Sequence, residues 1–221
     1  MATVVIIGGG SSVKEGIKQG LWDRIKHLDI IACNDAITNM PFTPKYAAYL
    51  DKSAMQPEVI KKVIESTECI KVTQLLHDVR LDDHNVVRFK IFHELDEPGK
   101  FERALERGYL FAGKRKFTGV FAISFALYAG YDRIYLLGFD WNTNKKGDVE
   151  WYKDKDHEEY KRTIFLDEKT GVPKNDCAEH HDVFKGKATI YNVSPNSAIP
   201  SFPKIDYKQF FQHISHLKEE G

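Results

Sequence analysis

Phe117 to Trp141, FTGVFAISFALYAGYDRIYLLGFDW, decides the fold class. Val120, Ile123, Ser124 and Leu127 recur at helical spacing, and Phe121, Phe125 and Tyr128 do so on the adjacent face. A helix that is apolar on nearly every side is a buried one. Thr118-Gly119 stands where it should begin and Gly130 where it should end. Arg133 to Leu137, RIYLL, reads as a strand covered on both faces, and Gly138 and Asp140 follow directly. Ligands of an open α/β sheet bind beyond the carboxyl ends of its strands. Asp140 and the helix start at Thr118 are therefore expected to face one crevice.

Working outward, Val4 to Ile7 is a short buried strand, followed by Gly8-Gly9-Gly10-Ser11-Ser12 and a helix with Val13, Ile17 and Leu21 on one face. A strand, a glycine turn and a helix start can cradle a phosphate, with free N–H groups pointing outward. Ser11 and Ser12 would cap the helix or touch the anion. The same glycines could serve only a tight turn. The dinucleotide fingerprint would need Gly where Val13 stands, and the P-loop Gly-Lys-Ser/Thr is absent.

Further strands are expected at Asp29–Cys33, ending in Asn34-Asp35, and at Tyr46–Leu50, ending in Asp51. A helix is expected over 57–66. Ile70–Val72 and Val86–Phe89 are weaker strand candidates, and 92–113 is mixed, with a short helix around Phe101 to Arg107. Residues 142–187 are dense in Lys, Asp, Glu and His, with Trp151, Tyr152, Tyr160 and Phe165 as anchors, and read as a polar lid. Ala188–Val193 is the last strand, followed by Ser194-Pro195-Asn196-Ser197 and a closing helix from Tyr207 to Lys218. Each strand ending alone is an ordinary turn. Together they line one rim of a parallel sheet, where a nucleotide binds. The expected fold is α/β: a Rossmann-like, mostly parallel sheet with helices on both faces, forming one domain over residues 1–221.

The chain has 221 residues, with 42% hydrophobic and 12% aromatic side chains, enough for a packed core. Lys+Arg and Asp+Glu both number 32, so no global charge commits it to nucleic acid or an anionic membrane. Cys33, Cys69 and Cys177 are too few and too scattered for a disulfide framework. No apolar run is long enough to span a bilayer and no basic leader precedes the first strand, so a cytoplasmic protein is expected.

His180-His181-Asp182 lies in the polar excursion. A histidine there could act as general base, or both could be exposed loop residues. Zinc on Cys177, His180 and His181 would lack a fourth ligand. Asp51 and Asp140 could hold a metal beside a nucleotide phosphate; hydrogen-bond acceptance from a sugar fits better, because no D-x-D pair follows a strand. Trp141, Trp151 and Tyr152 could stack on a base or pack the lid. With no Gly-x-Ser-x-Gly elbow and no recognisable Cys–His spacing, hydrolase chemistry is disfavoured.

VVIIGGGSSVKEG, ACND, the central block, the late histidine pair and YNVSPNSAIPSF, in that order, resemble the bacterial sialyltransferases of glycosyltransferase family 42. A related group, the 6-hydroxymethylpterin pyrophosphokinase-like proteins, shares this framework. The resemblance implies a GT-A-like sialyltransferase variant of the Rossmann-like fold. It also implies a CMP-sugar donor and inverting transfer with no essential metal or cofactor, Mg2+ being left open. Gly8, Gly9, Gly10, Ser11 and Ser12 then fall in the donor loop, and Asn34 on a nucleotide-contacting asparagine. Thr118 and Gly119 fall on a Ser-Gly that meets the donor, and Pro195, Asn196 and Ser197 on the nucleotide-binding end segment. His181, or else His180, falls near the base.

The chain departs from the family at Gly9 and Asp51, where the family has asparagines. Of the two leaving-phosphate tyrosines, Asn142 stands at one position and Tyr152 is a substitute for the other. An acidic Asp51 repels a carboxylate or phosphate oxygen, so a neutral sugar fits it better. The expected partners are a nucleotide sugar and an acceptor hydroxyl, on a glycan or a hydroxymethylated DNA base; homo-oligomerisation stays open. The alternatives are ATP/Mg-dependent diphosphate transfer to a pterin-like alcohol, which also needs carboxylates, and a non-catalytic nucleotide-binding module.

Overall fold

The computed structural model describes residues 1–50, 68–74, 85–114, 117–141 and 181–218. Its strands are β1 (Thr3–Ile7), β2 (Asp29–Cys33), β3 (Tyr46–Tyr49), β4 (Ile70–Gln74), β5 (Val86–Phe92), β6 (Tyr109–Phe111), β7 (Arg133–Leu137) and β8 (Thr189–Asn192). They form one sheet in the order β6-β5-β4-β3-β2-β1-β7-β8, and every pairing is parallel. The chain steps outward from β1 to β6, then returns to lay β7 on the other side of β1. That reversal makes a crevice at the carboxyl ends of β1 and its neighbours.

β1 is the inner strand, and its register sets Val5 between Ile30 and Tyr135. Val4 and Ile6 enter one core layer while Val5 and Ile7 enter the other, the two-residue period of a strand covered on both faces. The helices are α1 (Val13–Lys18), α2 (Leu21–Ile25), α3 (Lys100–Glu106), α4 (Thr118–Tyr128) and α5 (Tyr207–Ser215), with 3-10 turns at Asn34–Asn39 and His216–Lys218. Side chains of α1, α2 and α5 pack with Val5 and Ile7, and those of α3 and α4 with Val4 and Ile6. The expected α/β fold, with helices on both faces, is what the chain adopts.

α4 lies over β1, β2 and β3 and also touches β6. It stops at Gly130 (φ +86), whose N–H bonds the Leu127 carbonyl while that of Tyr131 bonds the Ala126 carbonyl. This is the glycine C-cap that the sequence announced. The helix expected from Val13 to Leu21 is instead two, broken at Gly20 (φ +78). α5 opens on a reciprocal capping box between Asp206 and Gln209.

β6 falls inside the stretch read as mixed, and β5 runs three residues beyond its expected end at Phe89. The helix expected over 57–66 and residues 142–180 of the excursion lie outside the described residues. Residues 181–187 form a helical turn and tight turns leading into β8. Among the described residues no helix is long and apolar enough to cross a membrane.

Candidate functional site

The glycine turn sits against the continuation of β7. Gly8 N–H donates to the Leu137 carbonyl (2.8 Å) and Gly10 N–H to the Gly138 carbonyl (2.9 Å). A Cβ at Gly10 would stand 2.6 Å from the Gly138 oxygen and from Asp140 Oδ2. The glycines therefore allow two chain segments to approach closely. Ser12 N–H donates to Asp140 Oδ2 at 2.8 Å, across 128 residues. The outward-facing cradle of free N–H groups expected from sequence is thus largely closed, because three amides of the turn already have acceptors. Nor does Ser12 cap α1 with its side chain: its backbone is already helical (φ −57, ψ −24). Its Oγ is buried and has no partner among the described residues, and the same is true of Asp140 Oδ1.

Either side of β1, two residues adopt a left-handed backbone: Asn34 (φ 50) just after β2 and Trp141 (φ 51) after β7. They are the two non-glycine residues with positive φ among the described residues. Asparagine tolerates this conformation, but for a bulky tryptophan it is an outlier. Asn34 Oδ1 accepts from the Thr118 hydroxyl at 3.2 Å, tying the end of β2 to the start of α4. That start has no side-chain cap, since Phe117 occupies the capping position. A Cβ on Gly119 would come within 2.7 Å of the Phe139 ring, so glycine lets the helix start lie against β7's end.

The segment after β8 is fastened to the same place. Ser197 Oγ donates to the Phe139 carbonyl (2.6 Å), and Asn192 Nδ2 donates to that carbonyl (3.1 Å) and to Ser197 Oγ (2.9 Å). Ala198 N–H bonds the Asp140 carbonyl at 2.7 Å. Ser197, expected to meet a ligand, is buried and instead holds two loops together. Its neighbours Pro195 and Asn196 are exposed.

His181 is fully buried. Its ring meets Trp141 edge-on (5.0 Å, 89°) and Phe202 likewise (5.9 Å, 83°). The Asp182 carboxylate accepts from Ser201 Oγ (2.6 Å) and Lys185 Nζ (2.8 Å), and these bonds hold its pKa below the ordinary value. Trp141 also packs edge-on against Phe117 at 4.9 Å. A chain of contacts thus runs from the glycine turn through Asp140 and Trp141 to His181. Asp51, Asn142, Tyr152 and His180 lie outside the described residues.

The sequence marks Tyr207 only as the start of the closing helix, not as a neighbour of the site. Its ring packs on Gly16, where a Cβ would fall 2.2 Å from Cε1. Burial first, then the charges of Asp140 and Glu15, push its hydroxyl pKa up. A glycine inside a helix was the available signal of a close neighbour. Cys33 and Cys69 are buried thiols pushed up to about 12 by desolvation, which suits packing and not nucleophilic attack. Among the described residues no three His, Cys, Asp or Glu side chains gather as a metal site.

Comparison with family models, with curated proteins and with solved structures found no match. The likeness to family 42 therefore rests on its motifs.

Proposed function

We propose that this chain is a glycosyltransferase of the sialyltransferase-like type, moving a sugar from a nucleotide-activated donor to an acceptor hydroxyl. The observation that carries this reading is the pair of left-handed residues, Asn34 and Trp141, flanking β1 at the switch point. Such strained positions cluster at ligand clamps. The uncapped start of α4, tied to Asn34 through Thr118, supplies amides and a positive dipole end for the departing phosphate. Asp51 and Asp140 orient sugar hydroxyls, Asn196 meets the nucleotide and Tyr152 steadies the phosphate. His181 takes the acceptor proton as the acceptor oxygen attacks the anomeric carbon; the bond to phosphate breaks and the nucleotide leaves with its electron pair. Because Trp141 and Phe202 enclose His181, turnover requires Trp141 to move aside. The donor is a CMP-sugar by resemblance, and the acceptor a glycan or a hydroxymethylated DNA base.

A thermal-shift screen with CMP, UDP, GDP and ATP, with and without magnesium, tests this, because a ligand of the native state raises Tm. The expected result is a rise with one pyrimidine or guanine nucleotide, with or without the metal. A rise confined to ATP with magnesium would reassign the chain to diphosphate transfer; no rise with any of the four removes the reading. His181→Ala is expected to abolish transfer while keeping the nucleotide-induced shift. Transfer near the wild-type rate would show that His181 is not the base.

A further inference from the structure

We propose that the glycine turn is a seat for a neutral hydroxyl group and rejects phosphate, with Asp140 as the residue that sets this choice. The proposal rests on the glycosyltransferase reading only in taking the occupant to be a hydroxyl of the donor, on its ribose or on its sugar.

The argument begins with the polar groups of the turn. The amides of Gly8, Gly10 and Ser12 are taken by Leu137, Gly138 and Asp140 Oδ2. Among the described residues, the amides of Gly9 and Ser11 have no acceptor. Asp140 is 4% exposed, and its second oxygen, Oδ1, has no partner among the described residues, like the neighbouring Ser12 Oγ. The turn therefore carries two donors, the Gly9 and Ser11 amides, and against its Ser12 amide a carboxyl group whose second oxygen is unfilled. A hydroxyl both donates and accepts, so it matches that pair; a phosphate only accepts and brings negative charge.

Charge decides the rest. Asp140 Oδ2 lies 2.6 Å from where a Gly10 Cβ would be, so an anion bound at the turn would lie against a carboxylate. Like charges this close in a partly buried site repel strongly. No ion pair neutralises Asp140 among the described residues: Lys204 directs its Nζ to the Ser197 carbonyl at 2.5 Å. α1 is a six-residue helix whose first turn carries Lys14 beside Glu15, and neither Lys14 nor Lys18 forms an ion pair with Asp140. The carboxylate itself occupies the Ser12 amide, where a phosphate would have been sought.

The test is calorimetric titration of the full chain, wild type and Asp140→Asn, with sodium pyrophosphate, CMP, 2′,3′-dideoxy-CMP and CMP-sialic acid. Asparagine keeps the size and an oxygen for the Ser12 amide, but replaces the charged acceptor by a neutral amide. Wild type is expected to bind pyrophosphate at least about tenfold more weakly than the variant does, a difference of about 1.4 kcal/mol. The hydroxylated ligand is expected to lose about tenfold in the variant. If the seated hydroxyl belongs to ribose, dideoxy-CMP binds wild type about as weakly as CMP binds the variant. If it belongs to the sugar, only the advantage of CMP-sialic acid over CMP disappears.

Equal pyrophosphate affinity in both proteins, or unchanged binding of the hydroxylated ligands, overturns the proposal. The wild-type comparison of CMP with dideoxy-CMP, and of CMP-sialic acid with CMP, needs no variant: equal affinities in both pairs overturn it even if Asp140→Asn does not fold. Should no nucleotide bind at all, the glycosyltransferase reading falls, while the pyrophosphate comparison still judges the turn.

Discussion

Asn34 combines a backbone role with a side-chain role, and two substitutions separate them. Its left-handed conformation costs an alanine roughly 1–2 kcal/mol more than a glycine. Its carboxamide also holds the Thr118 hydroxyl. Asn34→Ala is therefore expected to lose about 1–3 kcal/mol, and Asn34→Gly distinctly less, read as urea midpoints at constant slope. If the carboxamide also contacts the nucleotide, both variants weaken binding although only one is unstable. An alanine variant as stable as wild type would remove the strain argument. The sequence marked Asn34 as a post-strand polar residue, but could not reveal its dihedral angle, which depends on how the end of β2 meets α4. Asp140 was legible as a crevice residue for the same positional reason. Its partner, the Ser12 amide 128 residues away, was not, because no local pattern encodes a contact made by the sheet order.

Among the elements, α4 was the most legible and β6 the least. α4 carries an uninterrupted apolar surface with a glycine at its end, both local properties. β6 has three residues, too few for a periodic signal, and depends on its neighbours. It pairs with β5, and the Phe111 N–H is bonded by Ser124 Oγ of α4 at 2.9 Å, with Ser124 wholly buried. The polar residue within the apolar helix is thus an acceptor for an edge strand. Ser124→Ala removes that buried acceptor and is expected to cost about 1–3 kcal/mol in urea unfolding. Ser124→Thr keeps the acceptor and serves as control for side-chain size. A loss below about 0.5 kcal/mol in the alanine variant would mean that β6 is held by its strand pairing and aromatic contacts alone.

At the scale of the molecule, residues 181–187 join parts of the fold that the strand order separates. His181 packs with Trp141 beyond β7 and Phe202 beyond β8, while Phe184 packs with Phe101 of α3 and Phe111 of β6. Lys187 adds an ion pair to Glu102 of α3. Asp182 fixes the segment to the loop between β8 and α5 through Ser201, and its bonds from Lys185 and Ser201 hold its pKa below the ordinary 3.8. The unfolded chain therefore takes up a proton at Asp182 before the folded chain does. The stabilisation is complete above the ordinary value and is lost as pH falls through the lowered one. With 48% of the side chain exposed, solvent screens the ion pair with Lys185, so the effect is modest. Asp182→Asn is expected to lower the urea midpoint near neutral pH, with the gap to wild type closing as acidification passes below the ordinary value of 3.8. A gap that stays constant over that range would show that Asp182 acts through shape and not charge. Since Trp141 rests on His181, its fluorescence offers a second reading of the same transition. Loosening at this seam is expected to move the emission before global unfolding does, because the contact between His181 and Trp141 lies next to the group being protonated.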